Sequence, residues 1–63
     1  MLELKIRTEN AAFADPYTGE YDKQCEAIEI CRILRNVIKH LEDGCTYGAC
    51  YDINGNKVGY WKR

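Results

Sequence analysis

The sequence predicts a small α+β fold of order β-α-β-β, in which one amphipathic helix packs on one face of a three-stranded antiparallel sheet. Three observations predict this fold. Apolar and polar residues alternate near the start, apolar residues recur with a helical period in the middle, and an Asn-Gly turn separates two strand-like segments near the end. With 63 residues, the chain is expected to form a single domain, residues 1–63, because domains usually contain about 100–200 residues.

The first predicted element is a strand over residues 2–7, which read L-E-L-K-I-R. Its strict alternation is typical of a strand with one buried face. Residues 8–21 form a predicted long loop, since they lack any period and contain the Asp-Pro and Thr-Gly turn signals. Three aromatic side chains, Phe13, Tyr17 and Tyr21, indicate that this loop packs against the rest of the molecule.

The second element is a helix over residues 22–43, with Asp22 as N-cap and Gly44 just beyond its end. Ile28 and Ile33 fall on opposite flanks, about 100–120° from the centre of the predicted apolar stripe. The apolar surface is therefore wider than one sheet contact requires, and either the long loop or a partner chain could cover the remainder. The stripe itself comprises Ala27, Ile30, Cys31, Leu34, Val37, Ile38 and Leu41.

The last element is a hairpin over residues 45–53 and 57–62, around the Asn54-Gly55 turn. A two-residue turn places alternate residues on opposite faces of the two strands. The more apolar face is predicted to cover the helix, and it carries Tyr47, Ala49, Tyr51, Ile53, Val58 and Tyr60. The other face is predicted to stay open, and it carries Thr46, Gly48, Cys50, Asp52, Lys57, Gly59 and Trp61.

An open sheet face and two unprotected sheet edges favour a homo-oligomer, a dimer or larger. Domains of about 60 residues bury only about 60% of their unfolded surface, so a second copy could supply stability that the core lacks. The candidate interface residues are Ile28 and Ile33 on the helix flanks and Cys50 and Trp61 on the face predicted to be open.

Four cysteines, Cys25, Cys31, Cys45 and Cys50, are spaced C-x5-C and C-x4-C. Zinc ligand pairs are usually separated by about 2–4 residues, so this spacing does not predict a metal site. Neither pair is placed for an easy local disulfide, because the two members of each pair point in different directions. The cysteines are expected to be free thiols, and no cofactor is predicted.

The residues available for catalysis are few. The chain contains no serine, and its single histidine, His40, lies on the polar side of the predicted helix. No glycine-rich phosphate loop is present. The sequence therefore predicts a binding protein and not an enzyme.

The formal net charge is −1, which argues against nucleic acid as a partner, and no segment is apolar enough for a membrane helix. The chain is expected to be a soluble intracellular protein. Residues 1–22 are acidic and residues 44–63 are basic. Arg32, Arg35 and Lys39 form one basic ridge on the helix. This ridge is either a solvated face or a cradle for phosphate, a nucleotide or an acidic surface.

Four motifs give a resemblance that extends over most of the chain: T-E-N-A-A-F (8–13), I-L-R (33–35), L-E-D-G (41–44) and D-I-N-G-N-K-V-G-Y-W (52–61). They resemble a family of short uncharacterised bacteriophage and prophage proteins. The segment 14–26 looks longer here than in typical relatives. Tyr60 and Trp61 stand where the family commonly has an acidic residue and an aromatic residue.

The resemblance implies a location in the cytoplasm of a bacterial host and a role against host defence. Two mechanisms are open: an inhibitor that blocks a host defence protein, or a sponge that sequesters a nucleotide signal. The alternatives are a regulatory or DNA-associated phage protein and a small virion or assembly protein. In the sponge, Asn10 either reads a base or caps a turn. Phosphate would be held by Arg32, Arg35 or Lys39, and the base would stack on Phe13, Tyr47 or Trp61.

Overall fold

The computed structural model describes all 63 residues and confirms the predicted α+β fold, with a 3₁₀ turn at Ala11–Phe13 in the long loop. The sheet is antiparallel, and its strand order is β1-β3-β2, so the last strand lies in the centre. The elements are strand β1 (Glu3–Ile6), helix α1 (Lys23–Glu42), strand β2 (Tyr47–Tyr51) and strand β3 (Lys57–Lys62).

Helix α1 begins and ends where the sequence predicts. Asp22 is the N-cap, and its carboxylate accepts hydrogen bonds from the backbone N–H groups of Gln24 and Cys25. At the other end, Gly44 adopts a φ of 86°, donates to the carbonyl of Leu41, and is followed by a bond from Cys45 to His40. This pair of bonds is a Schellman motif, which satisfies the last carbonyls of the helix and turns the chain into β2.

The buried face of α1 differs from the predicted stripe. Glu29, Ile33 and Val37 are buried, while Cys31 and Ile38 are exposed. Ile33 was predicted on a flank and instead lies in the core. Because most of the helix circumference is apolar, the helical period alone did not fix which side faces the sheet.

The prediction of which sheet face meets the helix is wrong. Trp61 is only 1% exposed, and Cys50 is buried beside it in the core. Tyr47 and Tyr51, expected against the helix, are exposed on the other side of the sheet. The physical reason is volume, because Gly48 lies directly opposite Trp61 and leaves room for the indole. The face that is less apolar in sequence therefore carries the largest side chain and packs against the helix.

The hairpin turn is longer than the predicted two residues. The Gly55 N–H donates to the carbonyl of Asp52, and the Asp52 N–H donates to the carbonyl of Asn56. The loop therefore comprises the three residues 53–55, and its last residue, Gly55, has a φ of 85°. The register shifts between Cys50 and Tyr51, where Val58 has no partner in β2. This bulge lets Val58 leave the regular alternation and join the core.

The core lies between α1, the 3₁₀ turn and the inner face of the hairpin, and strand β1 lies at its margin. Ile6 packs partly against the core, whereas the other residues of β1 are exposed. The fully buried apolar residues are Phe13, Ile33, Val37, Cys50, Val58 and Trp61. No helix of the chain has both the length and the apolar character that crossing a bilayer requires.

Replacing Gly48 with alanine tests the packing of Trp61. A Cβ at this position would lie 2.6 Å from the indole Nε1, and the buried ring has little space to move. We expect Gly48→Ala to lower the free energy of unfolding by about 1–3 kcal/mol, the usual cost of overpacking a core. Urea denaturation followed by tryptophan fluorescence measures it. Ala49→Ser, on the neighbouring residue, is the control and should change stability little; equal stability of Gly48→Ala and wild type would contradict the packing.

Candidate binding surface

The outer face of the sheet, opposite the helix, presents tyrosine and lysine side chains in cross-strand rows. Tyr47 pairs with Lys62, and Tyr51 pairs with Lys57. Between these rows Tyr60 lies opposite Lys5 of β1. Directly opposed residues of an antiparallel pair point to the same side of the sheet. We call this surface the tyrosine–lysine face: Lys5, Tyr47, Tyr51, Lys57, Tyr60 and Lys62.

The tyrosine–lysine face is accessible and positively charged. Tyr47 is 77% exposed, and all other members are also exposed. Glu3 is the acidic residue on this side of β1, and its carboxylate lies 3.7 Å from the Lys62 ammonium. Three lysines against one glutamate leave an excess of positive charge on a chain whose net charge is −1. The face is therefore suited to an anionic surface.

A cluster of polar side chains joins the tip of the hairpin to the loop. Asp52 is buried and accepts bonds from the backbone N–H groups of Asn54 and Asn56, both 2.9 Å, and from the Asn10 side chain at 2.8 Å. Burial disfavours ionisation of Asp52, but the hydrogen bonds from Asn56, Asn10 and Asn54 outweigh it and lower the pKa of this carboxyl. The cluster fixes the tip and leaves Asp52 ionised at neutral pH.

A second buried carboxylate, Glu29, joins the hairpin tip to helix α1. It accepts a bond from Arg32 Nε at 2.6 Å and one from the backbone N–H of Ile53 at 2.8 Å. The same guanidinium donates to the carbonyl of Tyr51 at 2.9 Å. The bond to Glu29 raises the pKa of Arg32. Arg32 thus holds the hairpin against the helix.

The structure separates the residues predicted to form a nucleotide site. Phe13 and Trp61 are buried in the core, so neither ring has a free face for stacking. Arg32 is half-buried and bonded to Glu29, so of the basic ridge only Arg35 and Lys39 are exposed. The structure does not bring these residues together around one pocket.

Two other predicted binding residues, Asn10 and Tyr47, lie in different parts of the molecule. Asn10 caps the 3₁₀ turn by accepting a bond from the Ala12 N–H, while its amide donates to Asp52. Tyr47 lies on the tyrosine–lysine face, on the opposite side of the sheet from helix α1. Of the predicted binding residues, Tyr47 alone belongs to the new surface.

The predicted oligomer-interface residues also need correction. Ile33, Cys50 and Trp61 are buried within a single chain and present no surface to a partner. Ile28 is 60% exposed on the helix and keeps the position expected for it.

The four cysteines are free, and burial raises the pKa of the Cys50 thiol. At the start of α1, potential ligand atoms of Asp15, Asp22 and Cys25 lie within 4.8 Å of one another. Asp22 caps the helix, and Asp15 accepts the N–H groups of its own turn. Burial, followed by the charges of Asp22 and Asp15, raises the pKa of Cys25. The helix cap and the turn therefore explain why Asp15, Asp22 and Cys25 lie close together.

Comparison with models of known protein families, with curated proteins and with solved structures gives no match to this chain. The surface therefore has to be interpreted from its own chemistry. Sequence reasoning missed the other five members of the tyrosine–lysine face, because it assigned the tyrosines to the buried side of the sheet: Lys5, Tyr51, Lys57, Tyr60 and Lys62. The available signal was Gly48 on the opposite face, because the missing side chain leaves room for the Trp61 indole.

The lowered pKa of Asp52 makes a pH-dependent contribution to stability. The folded state favours the ionised form, so its contribution is present above the unfolded pKa of about 3.9 and is lost as the pH falls through the lower folded value. In Asp52→Asn, the amide nitrogen would oppose the Asn10 and Asn56 donors. We expect a lower urea midpoint at pH 7 and a smaller difference from wild type in acid.

The control for this prediction is Asp43→Asn, which changes the same charge at an exposed position at the end of α1. It should follow the wild-type stability profile across the pH range. A profile for Asp52→Asn that ran parallel to wild type down to acid pH would show that the carboxylate does not contribute through its ionisation.

Proposed function

We propose that this chain is a non-enzymatic binding protein whose tyrosine–lysine face docks on an acidic protein surface. The observation that carries the proposal is the uncovered sheet face on which each row joins a tyrosine to a lysine. Tyrosine provides a large contact area with a polar tip, and it is enriched at protein interfaces and their energetic centres. The lysines supply the charge that attracts an acidic partner.

The side chains that could act in catalysis support a binding role. The carboxylates of Glu29 and Asp52 are occupied by hydrogen bonds that hold the fold together. His40 is exposed near the end of α1. The buried Cys50 has a raised pKa, which opposes formation of a nucleophilic thiolate. None of these groups is placed as an activated pair.

The resemblance to short bacteriophage proteins suggests the biological setting. We propose that the acidic partner is a host defence protein in the bacterial cytoplasm and that docking inhibits it. The nucleotide-sponge alternative is weaker, because Phe13 and Trp61 lie in the core and Arg32 is engaged by Glu29. A small virion or assembly protein could use the same face, and the identity of the partner decides between these roles.

Single-stranded nucleic acid is a second candidate partner. Aromatic side chains on an exposed antiparallel sheet can stack on unpaired bases while nearby cations contact the phosphates. The three tyrosines and three lysines of the face have this chemistry. The acidic first third of the chain opposes it, since phosphate binding needs a wide basic surface.

The test compares two matched double variants, each immobilised and exposed to an extract of host bacteria. Tyr47→Ser/Lys57→Glu alters the tyrosine–lysine face at two exposed positions. Ile28→Ser/Lys39→Glu makes a similar change on the exposed side of α1. We expect the proteins retained by wild type to bind the face variant with an affinity lower by about tenfold or more, as at interface hot spots. The same proteins should bind the helix variant as they bind wild type.

The other outcomes of this test are equally informative. Retention that is lost only with the helix variant would overturn the proposed face and assign binding to the ridge of Arg35 and Lys39. Fluorescence anisotropy with labelled single-stranded DNA and RNA tests the second candidate. Tight, salt-sensitive binding that requires Tyr47 and Lys57 would show that the partner of the face is nucleic acid and not an acidic protein.

We also propose that the chain self-associates. Its accessible surface is 4794 Å², whereas a compact monomer of 7.3 kDa is expected to expose about 4,200 Å². The Cα radius of gyration is 12.3 Å, against about 10.6 Å for a typical domain of this length. Only 8 of 63 residues are buried. This excess of surface supports a partner copy.

A further inference from the structure

Strand β1 is an edge strand with an exposed inner side. It pairs with β3 along one edge, and no other strand lies along its second edge. Leu4 lies opposite Trp61, so both side chains are on the inner side of the sheet. The Leu4 side chain is nevertheless 39% exposed. Leu2, just before the strand, is 56% exposed. An open edge with apolar side chains along it is a surface on which another strand can pair.

The direction of the backbone groups in β1 follows from one hydrogen bond. The Arg7 N–H donates to the Val58 carbonyl at 2.7 Å, so the polar backbone groups of Arg7 point toward β3. Backbone groups alternate in direction along an antiparallel strand. Lys5 and Glu3 therefore also direct theirs toward β3, while Leu4 and Ile6 direct theirs outward to the free edge.

A second copy of the chain can pair with this edge only in a few registers. In a two-fold antiparallel pair, the outward groups of one strand must meet the outward groups of the other. Leu4 can lie opposite the partner's Leu4, or Leu2 opposite the partner's Leu4, or Leu4 opposite the partner's Ile6. A fourth arrangement places Ile6 opposite the partner's Ile6.

Charge separates these registers. With Leu4 opposite the partner's Leu4, Glu3 lies opposite the partner's Lys5, and this pair occurs twice by symmetry. Each of the other three registers brings like charges together: Glu3 on the partner's Glu3, Lys5 on the partner's Lys5, or Lys5 on the partner's Arg7. The register with Lys5 on the partner's Lys5 also sets Glu3 opposite the partner's Arg7, so it combines attraction with repulsion, whereas the Leu4 register has no like-charge pair. Directly opposed like charges destabilise a strand pair, whereas opposite charges stabilise it. The L-E-L-K-I segment is thus complementary to itself in one register.

We infer that the chain forms a two-fold dimer in which two β1 edges pair antiparallel about Leu4, so that the two sheets join into one sheet of six strands. The outer side of the joint carries the Glu3–Lys5 pairs. The inner side brings Leu4 against the partner's Leu4 and Leu2 against the partner's Ile6, which covers apolar area that is exposed in one chain. The inference rests on the proposed self-association and names the surface that carries it.

A charge exchange tests the register. In Lys5→Glu, Glu3 would face a glutamate twice, and in Glu3→Lys, Lys5 would face a lysine twice. We expect each single variant to weaken the dimer about tenfold or more in sedimentation equilibrium, and the double variant Glu3→Lys/Lys5→Glu to restore it. A mixture of the two single variants should form heterodimers, since their charges are complementary. Lys23→Glu, at the exposed first residue of α1, is the control for net charge.

A backbone variant tests the edge without changing charge. N-methylation of Leu4 in chemically synthesised protein removes an N–H that points outward, so it should leave the monomer folded and abolish the dimer. Circular dichroism verifies the fold of each variant. A wild-type chain that stays monomeric up to millimolar concentration would overturn both self-association and this inference. A dimer that resists both Lys5→Glu and N-methylation would overturn the β1 edge alone, and neither result depends on binding by the tyrosine–lysine face.

Discussion

The indole of Trp61 fills the space between the sheet and helix α1, and the arrangement of the other elements follows from it. Gly48 lies directly across from Trp61 on β2, and the absence of a side chain there leaves room for the ring. Cys50 and Val58 complete the same inner surface, and Ile33 and Val37 of the helix pack with them in one core. Once the indole is inside, the tyrosines of β2 and β3 must lie outside.

Two buried carboxylates hold the end of the hairpin in place. Asp52 organises its own turn and binds the Asn10 amide, and Glu29 binds both Arg32 and the backbone of Ile53. These bonds join three parts of the chain that are distant in sequence. A buried carboxylate without partners would be costly, so the turn, the 3₁₀ segment and the helix stabilise the fold only when they meet together. Arg32 is thereby removed from the basic ridge and given a structural role.

The surfaces available for function are what this small core leaves uncovered. One helix covers one side of a three-stranded sheet, so the other side presents the tyrosine–lysine face to solvent. Strand β1 lies at the margin of the core, with its outer edge unpaired. The face and the edge meet at Lys5, and joining two chains through the edge would extend the face across both. Binding by such an assembly gains strength from presenting the same surface twice.

Local chemistry in the sequence determined the elements. Alternation gave β1, the Asp22 cap and the Gly44 motif bounded α1, and Asn54-Gly55 placed the turn between β2 and β3. These signals act over a few residues, so they can be interpreted without knowing the fold. A two-residue turn at Asn54-Gly55 also predicts that Ala49 pairs with Tyr60 and Gly48 with Trp61, which the structure confirms. The same turn predicts that Tyr51 pairs with Val58, which is wrong, because the bulge pairs Tyr51 with Lys57.

Tertiary structure alone decided which sides of these elements are buried. The apolar surface of α1 is wide enough to accept several rotations, and only packing against the sheet placed Ile33 at its centre. Residue hydropathy favoured the face with tyrosines, whereas the volume freed by Gly48 and the bulge at Val58 selected the face with Trp61. Volume and hydrogen-bond partners across the fold are properties of contacts between distant residues. For that reason the tyrosine–lysine face, which lies on the side of the sheet away from the core, could be identified only from the tertiary structure.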